Sequence, residues 1–225
     1  MHPSSVEIAA NFAASLERAA RFDEPFRHFF ARELFPAGVA DDLACLPIAP
    51  PCLEGRSGRR EYHNHARCFF NAATMRQFPV FDLVGRALQS SRVVEAIESL
   101  CGASLAGTFL RIEYAVDCEG FWLEAHTDLG VKKFTCLISL AETVEQSSLG
   151  TDIYTSDKRL YRRFPFLRNA ALIFVPAGNT WHGFAERPID GLRRSLILNY
   201  VAPEWQDREQ LAFPADPVQS ARCMD

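Results

Sequence analysis

The sequence contains no Cys-x-x-Cys pair. Its seven cysteines stand apart, at positions 45, 52, 68, 101, 118, 136 and 223. Scattered and odd in number, they argue against a disulfide framework or a cysteine-based zinc site and fit reduced thiols. Neither sign of charge forms a long run, and the net charge of −4 gives no ground for a nucleic-acid or anionic-membrane partner. No apolar run approaches the roughly 20 residues that cross a membrane. The N-terminus lacks the basic and then apolar stretches of a signal peptide. Repeats, low-complexity tracts and linker-like boundaries are also missing. The expectation is a cytoplasmic protein of one domain over residues 1–225, with no nucleic-acid or membrane partner and its oligomeric state left open.

Apolar material is plentiful: 48% of the chain is hydrophobic, with 18 Phe, enough for a substantial core. The first part, 1–104, reads as helix-rich. Ser4 and Glu7 have capping-box spacing, and Ile8, Phe12, Leu16 and Ala19 make one stripe, predicting a helix over 4–21. Periodicity alone leaves 26–35 open between strand and helix. A short helix is expected after Pro36. The stretch 59–71 carries His63 and His65 and reads as a strand with one polar face, the two histidines lacking a third ligand in a comparable context. One helix or two are expected over 79–100, ended by Gly102 in the role of a residue that tolerates φ > 0.

After Gly107 the pattern shortens into about seven extended segments separated by turns, over 105–204, with 205–225 as a tail. Such a set closes most readily as a double-stranded β-helix, or jelly roll. The fold class expected is α+β, a jelly-roll core with N-terminal helices packed outside. The loop 142–149 is a candidate lid.

One stretch organises the rest. His126-Thr127-Asp128 ends a predicted strand, and residues i and i+2 on an extended chain point to the same side. An imidazole and a carboxylate can therefore meet at one point. His182, after the Pro176-Ala177-Gly178 turn, is the candidate third ligand. Two His and one carboxylate make the facial triad of non-haem Fe(II) oxygenases. On the next strand Arg193 and Ser195 share a face, where a guanidinium can hold a carboxylate and a hydroxyl can add a hydrogen bond. Arg194 belongs to the opposite face, and a one-residue register slip would exchange the two arginines.

His126-x-Asp128, His182 and Arg193-x-Ser195 together resemble the His-x-Asp…His…Arg-x-Ser pattern of the Fe(II)- and 2-oxoglutarate-dependent dioxygenases. The style is closest to the prolyl-4-hydroxylase-like branch, and the likeness covers roughly 108–203. A weaker likeness at Pro25-Phe26-Arg27-His28-Phe29 and Phe35-Pro36 would make 26–35 a strand. The resemblance implies that His126, Asp128 and His182 ligate Fe(II). It implies that Arg193 with Ser195 binds the distal carboxylate of 2-oxoglutarate, with O2 as the second cosubstrate. Arg111 and Tyr114, on the preceding strand, stand where the family supplies cosubstrate or substrate contacts. A small residue in the place of Asp128 would suit a halogenase, so the retained carboxylate favours hydroxylation.

Around these, Lys132 and Lys133 could meet an anionic substrate, though a solvated strand end fits them better. Trp122 and Trp181 flank the proposed ligands, and Asn179 and Thr180 could orient His182. Asp152 and Tyr154 belong to a strand beneath the site. The implied activity is oxidation of an aliphatic C–H of a small molecule, such as an amino acid or natural-product intermediate, with release of succinate and CO2. A peptidyl hydroxylase, a cupin-type metalloenzyme and a non-catalytic jelly-roll binding module are the alternatives.

Overall fold

The computed structural model describes residues 3–220, apart from the side chains of residues 64 and 65. Five helices, α1 (Ser5–Glu17), α2 (Ala37–Ala44), α3 (Ala72–Gln77), α4 (Pro79–Gln89) and α5 (Ser91–Cys101), accompany two antiparallel sheets. The larger sheet has the order β1 (Ala20–Phe22), β2 (His28–Arg32), β9 (Ala170–Phe174), β6 (Lys132–Ser139), β11 (Arg193–Val201), β4 (Phe109–Asp117), β3 (Cys68–Phe69). The smaller runs β5 (Leu123–His126), β10 (His182–Phe184), β7 (Asp152–Tyr154), β8 (Leu160–Arg163). From β4 onward the chain passes back and forth between the sheets. The helix-and-sheet composition is as expected, with eight strands after Gly107 because β10, only three residues long, is a strand in its own right.

Period-two alternation decides what each face of the large sheet does. Leu110, Ile112, Tyr114 and Val116 of β4, Phe134, Cys136 and Ile138 of β6, and Leu196, Leu198 and Tyr200 of β11 are buried in one apolar cluster. The apolar stripes of α1, α4 and α5 close over it, through Ile8, Phe12, Phe81, Val84, Val94 and Ile97. Each such side chain contributes about 1.5–3 kcal/mol when fully buried. The opposite face of β4, β6 and β11 carries their odd-numbered residues toward the small sheet, where they line the interior cavity.

Several local expectations hold. The capping box of Ser4 and Glu7 forms at the start of α1. Gly102 ends α5 with φ 71°, and β2 makes the 26–35 stretch a strand. The 79–100 stretch is two helices, broken at Ser90. Three expectations do not hold. The 59–71 stretch is a 3-10 segment, Arg60–Ala66, followed only by the two-residue β3. His63 is buried on that segment, while the His65 side chain lies outside the described residues. The backbone kinks at His63, with φ −116° and ψ 23°, so the extended geometry on which the i, i+2 argument depends is not present there. The 142–149 stretch is no lid. Its 3-10 turn, Val144–Leu149, is fastened where Gln146 donates to the Leu192 carbonyl and Leu149 packs beside Phe166 and Phe184. Residues 205–220 do not trail away, since Leu211, Ala212 and Val218 are buried and Ala212 N–H donates to the Leu110 carbonyl.

All six described cysteines are free thiols; Cys223 lies outside the described residues. Among the described residues no helix is long and apolar enough to cross a membrane.

Candidate metal centre and its cavity

His126 ends β5 and His182 begins β10, and the two are direct register partners across the small sheet. Their rings lie 4.4 Å apart. Asp128 follows one turn residue after His126. One ligand atom from each of the three falls within 4.8 Å of the others. The tautomers follow from the neighbours. His126 Nδ1 lies 2.8 Å from the Glu124 carbonyl and His182 Nδ1 lies 2.9 Å from the Thr180 carbonyl. A carbonyl only accepts, so both Nδ1 atoms carry hydrogen and both Nε2 lone pairs are free to bind a metal.

Burial lowers the His182 pKa to about 4, against the upward pull of Asp128, which keeps the ring neutral, as a ligand must be. Burial works to raise the Asp128 pKa, but Lys132, by charge and hydrogen bond, and the Thr135 hydroxyl work against it and the carboxyl stays ionised. Lys132 Nζ sits 2.5 Å from Asp128 Oδ1, and Thr135 Oγ donates to Oδ2 at 2.7 Å. Thr135 is held by Asn199 at 2.9 Å, and Asn199 accepts from Arg111 at 3.1 Å. The Asp128 carboxylate thus stands at the end of a buried chain of polar contacts running across β6, β11 and β4.

The centre opens into a cavity of about 420 Å³ between the sheets. Arg193 and Ser195 line it; Arg194 does not, turning to the other face to pair with Glu142. Arg193 is held on two sides, its Nε donating to the Leu149 carbonyl at 2.7 Å and its guanidinium meeting Asp117 at 2.5 Å. Phe166 and Phe184 stack against it. Arg111 also lines the cavity, sandwiched between Phe69 and Trp205.

Tyr114 takes no part in the cavity. It lies on the helix side of the sheet, its hydroxyl donating to the Leu43 carbonyl at 2.7 Å. Three residues separate it from Arg111, and on a strand an odd separation means opposite faces.

The remaining candidates separate clearly. Lys132 lines the cavity, whereas Lys133 points to the Gly130 carbonyl. The Trp122 ring lies against Gly58, and Trp181 stacks under Lys158 at 4.4 Å. Thr180 orients His182 through its backbone carbonyl, while the Asn179 carbonyl accepts from Trp181 N–H. Asp152 is fully buried between Arg163 and Arg187 on β7, an ion-pair core of the small sheet.

Reasoning on the sequence missed a set of charged residues in the wall. Glu113 and Asp117 share the cavity face of β4 with Arg111. Asp117 is shared by Arg193 and Arg60, and Glu113 by Arg67 and Arg111. Burial favours the protonated acid at Glu113, but Arg67, Arg60 and Arg111 overcome it and hold its pKa near 2. Charged residues at 111, 113 and 117, all of one parity and set between apolar even-numbered residues, are a signal that could have found this face. The cavity mouth is bordered by the strap of residues 58–61, tied to β5 by hydrogen bonds between Gly58 and both Trp122 and Glu124 and by the Arg59–Glu124 pair at 2.7 Å. Gly58, at φ 98°, approaches Trp122 so closely that a Cβ would fall 2.6 Å from its ring.

This architecture, helices over a large antiparallel sheet with a His-Asp-His cluster between the sheets, is that of a known fold. The chain superposes on a Pseudomonas putida prolyl-4-hydroxylase with a TM-score of 0.54 at 17% identity, over 90% of this chain and 96% of that one. A prolyl 4-hydroxylase from Phytophthora capsici gives 0.58 at 12% identity, over 90% of this chain and 66% of that one. A Trichoplax adhaerens prolyl hydroxylase, solved with a hypoxia inducible factor oxygen degradation domain peptide, gives 0.55 at 11% identity, over 88% of this chain and 90% of that one. No family model matches the sequence, and no curated protein sequence matches it either. The chain therefore has the prolyl-4-hydroxylase fold.

Proposed function

We propose that the protein is an Fe(II)- and 2-oxoglutarate-dependent dioxygenase that hydroxylates an aliphatic C–H of a small molecule, with release of succinate and CO2. The observation that carries this reading is the donor set. Two imidazoles are fixed in the Nδ1–H tautomer by backbone carbonyls and converge with one ionised carboxylate at a single point in a cavity. Two nitrogens and one oxygen on one side of a metal suit non-haem Fe(II) with positions left for other ligands. The winding of β4–β11 between two sheets is how a double-stranded β-helix is built, and the fold likeness supports the same reading.

Bound Fe(II), with 2-oxoglutarate and O2, supplies the oxidising chemistry. The chain's own residues bind, orient and exclude water. Arg193, with Ser195 on the same face, receives the distal carboxylate of 2-oxoglutarate through a planar fork that suits a carboxylate. Thr135 and Lys132 hold the Asp128 carboxylate in place, and outer contacts of this kind commonly decide metal affinity. Phe174 packs against His182, with their rings 4.9 Å apart.

A small molecule suits the cavity, whose volume lies in the range of small-ligand sites. The strap also occupies the backbone of β5 that an extended peptide would pair with. The peptide bound in the Trichoplax structure keeps a peptidyl substrate as the second reading.

The test is anaerobic addition of Fe(II) and then 2-oxoglutarate to metal-free protein, following the weak visible charge-transfer band of the chelate. A band that is absent in His182→Ala supports the assignment. Bound iron with no band would favour a cupin-type enzyme, and no iron binding a non-catalytic module.

A further inference from the structure

Three residues in register on neighbouring strands carry a line of hydrogen bonds into the metal centre. Arg111 of β4 is the partner of Asn199 on β11, and Asn199 is the partner of Thr135 on β6. All three side chains are buried, so water does little to compete for their contacts.

The chemistry of the donors gives this line one direction. A guanidinium can only donate. Arg111 Nη1, 3.1 Å from Asn199 Oδ1, therefore fixes the amide with its oxygen toward β4. The amide nitrogen faces β6, where its two hydrogens go to the Phe134 carbonyl at 3.3 Å and to Thr135 Oγ at 2.9 Å. An amide N–H does not accept, so Thr135 receives that bond and keeps its one hydroxyl hydrogen to donate. The acceptor is Asp128 Oδ2, 2.7 Å away. Turning the Asn199 amide over would set donor against donor at Arg111. The origin of the line is also fixed. Arg111 Nε donates to Gln210 at 2.8 Å and Nη2 to Glu113 at 3.1 Å, so each of its three nitrogens already has an acceptor within the protein. Gln210 is oriented in turn by donating to Asp207 at 3.0 Å.

We propose that Arg111 and Asn199 are positioning residues for Asp128, rather than contacts to cosubstrate or substrate. Acting through Thr135, they direct a hydrogen bond onto Asp128 Oδ2 and so raise the affinity of the chain for its metal. This rests on the metal-centre part of the proposed function. It adds residues that are not themselves metal ligands.

The probe is Zn(II), standing in for Fe(II). It is titrated into the metal-free full chain in competition with a chromophoric chelator, and the denaturation midpoint of each variant is measured alongside. Thr135→Val should weaken Zn(II) binding about tenfold or more, the scale for loss of an outer contact to a ligand. Thr135→Ser, which keeps the hydroxyl, should restore it. Asn199→Asp fills the same space and keeps an acceptor for Arg111, but it replaces the donor facing Thr135 with a second acceptor, which draws the hydroxyl away from Asp128. Its added charge acts on the metal whether or not the hydroxyl is present, so a double-mutant cycle with Thr135→Val removes that contribution. Asn199→Asp is expected to be less favourable to Zn(II) binding by about three- to tenfold when Thr135 is present than in Thr135→Val, the worth of one hydrogen bond. Arg111→Lys keeps the charge but not the planar fork. It should weaken binding when Thr135 is present and add nothing in Thr135→Val; where it does not fold, the Asn199→Asp cycle decides the matter. A purely structural role would lower the midpoints without coupling in metal affinity, and would overturn the proposal. So would wild-type affinity in Thr135→Val, which would leave Lys132 alone holding Asp128. Zn(II) binding by the wild type with uncoupled variants overturns this proposal and leaves the metal centre standing, whereas no binding by the wild type overturns both.

Discussion

Arg193 and Asp117 are register partners on β11 and β4, and their guanidinium and carboxylate meet at 2.5 Å in the buried wall of the cavity. The arginine proposed to receive 2-oxoglutarate is thus already paired, and Asp117 also answers Arg60. Removing one partner of a buried ion pair costs about 3–5 kcal/mol, because the other charge is left uncompensated. Asp117→Asn should therefore destabilise the protein by that order without 2-oxoglutarate. With Asp117 neutral, the arriving distal carboxylate becomes the main counter-charge for Arg193. The gain in thermal stability at saturating 2-oxoglutarate, by linkage, should then be larger in Asp117→Asn than in the wild type. Thermal unfolding of both proteins with and without the cosubstrate checks this; equal gains would place the distal carboxylate elsewhere.

Neighbouring arginines on one strand give a sharper comparison. Arg193 faces the cavity and Arg194 pairs with Glu142 on the other side. Arg193→Ala should weaken 2-oxoglutarate binding about 10- to 100-fold, as expected for a charged hydrogen bond worth about 1.5–3 kcal/mol. Arg194→Ala, lying outside the cavity, should change it by less than about twofold, within the scatter of single-contact effects. Calorimetric titration of 2-oxoglutarate into the metal-loaded proteins gives both values, and a reversed order would move the anchor to Arg194.

The sequence made these faces legible wherever alternation was unbroken. His126, Asp128 and His182 could be brought together on paper because i, i+2 spacing at a strand end and a second turn-bounded histidine are local features. The same rule placed Arg193 with Ser195 and against Arg194. Applied along β4, it would have grouped Arg111 with Glu113 and Asp117 and set Tyr114 on the other face. Arg60 and Arg67 were not legible in this way. Arg60 begins an irregular 3-10 segment and Arg67 follows its end, and the approach of this stretch to β4 is fixed by long-range contacts, with no period to read. Trp205 and Gln210, which line the cavity, were hidden for the same reason. The last segment has almost no regular structure, and its position rests on packing and on single hydrogen bonds, such as Ala212 to Leu110.

Glu113 makes acid stability a further test. Its pKa is near 2, against an ordinary 4.5. A carboxyl with a depressed folded pKa contributes stability that is complete above its unfolded value and is lost as pH falls toward the folded one. The window is therefore from about pH 4.5 down to about pH 2, and the contribution is of order 3 kcal/mol for a carboxylate this deeply buried. Denaturant unfolding across that window should show a shallower pH dependence in Glu113→Gln than in the wild type, by about that amount. The variant should also be less stable at neutral pH, since Arg67 and Arg111 lose their shared counter-ion. Parallel pH profiles would show that the arginines around Glu113 do not hold it ionised.

Gly183 ties the fold to the metal centre. It follows His182 on β10, and a Cβ there would fall 2.8 Å from the Leu123 carbonyl oxygen and 2.9 Å from that of Glu124. Both are backbone atoms of β5, which cannot move aside as a flexible side chain would. Gly183→Ala must therefore push β10 away from β5, at a cost of about 1–3 kcal/mol for an overpacked site. These are the strands whose register sets His182 opposite His126, so the two free Nε2 atoms should separate as well. Fe(II) affinity is expected to fall by about 10- to 100-fold, the scale seen when the support of a metal ligand is disturbed. Gly178→Ala is the matched control, because a Cβ at Gly178 meets nothing within 4 Å although it lies in the turn leading to the same histidine. Denaturation midpoints and anaerobic Fe(II) titrations of the two variants separate the effects. Stability lost with iron affinity intact would mean that the metal ligands are positioned independently of the β5–β10 contact.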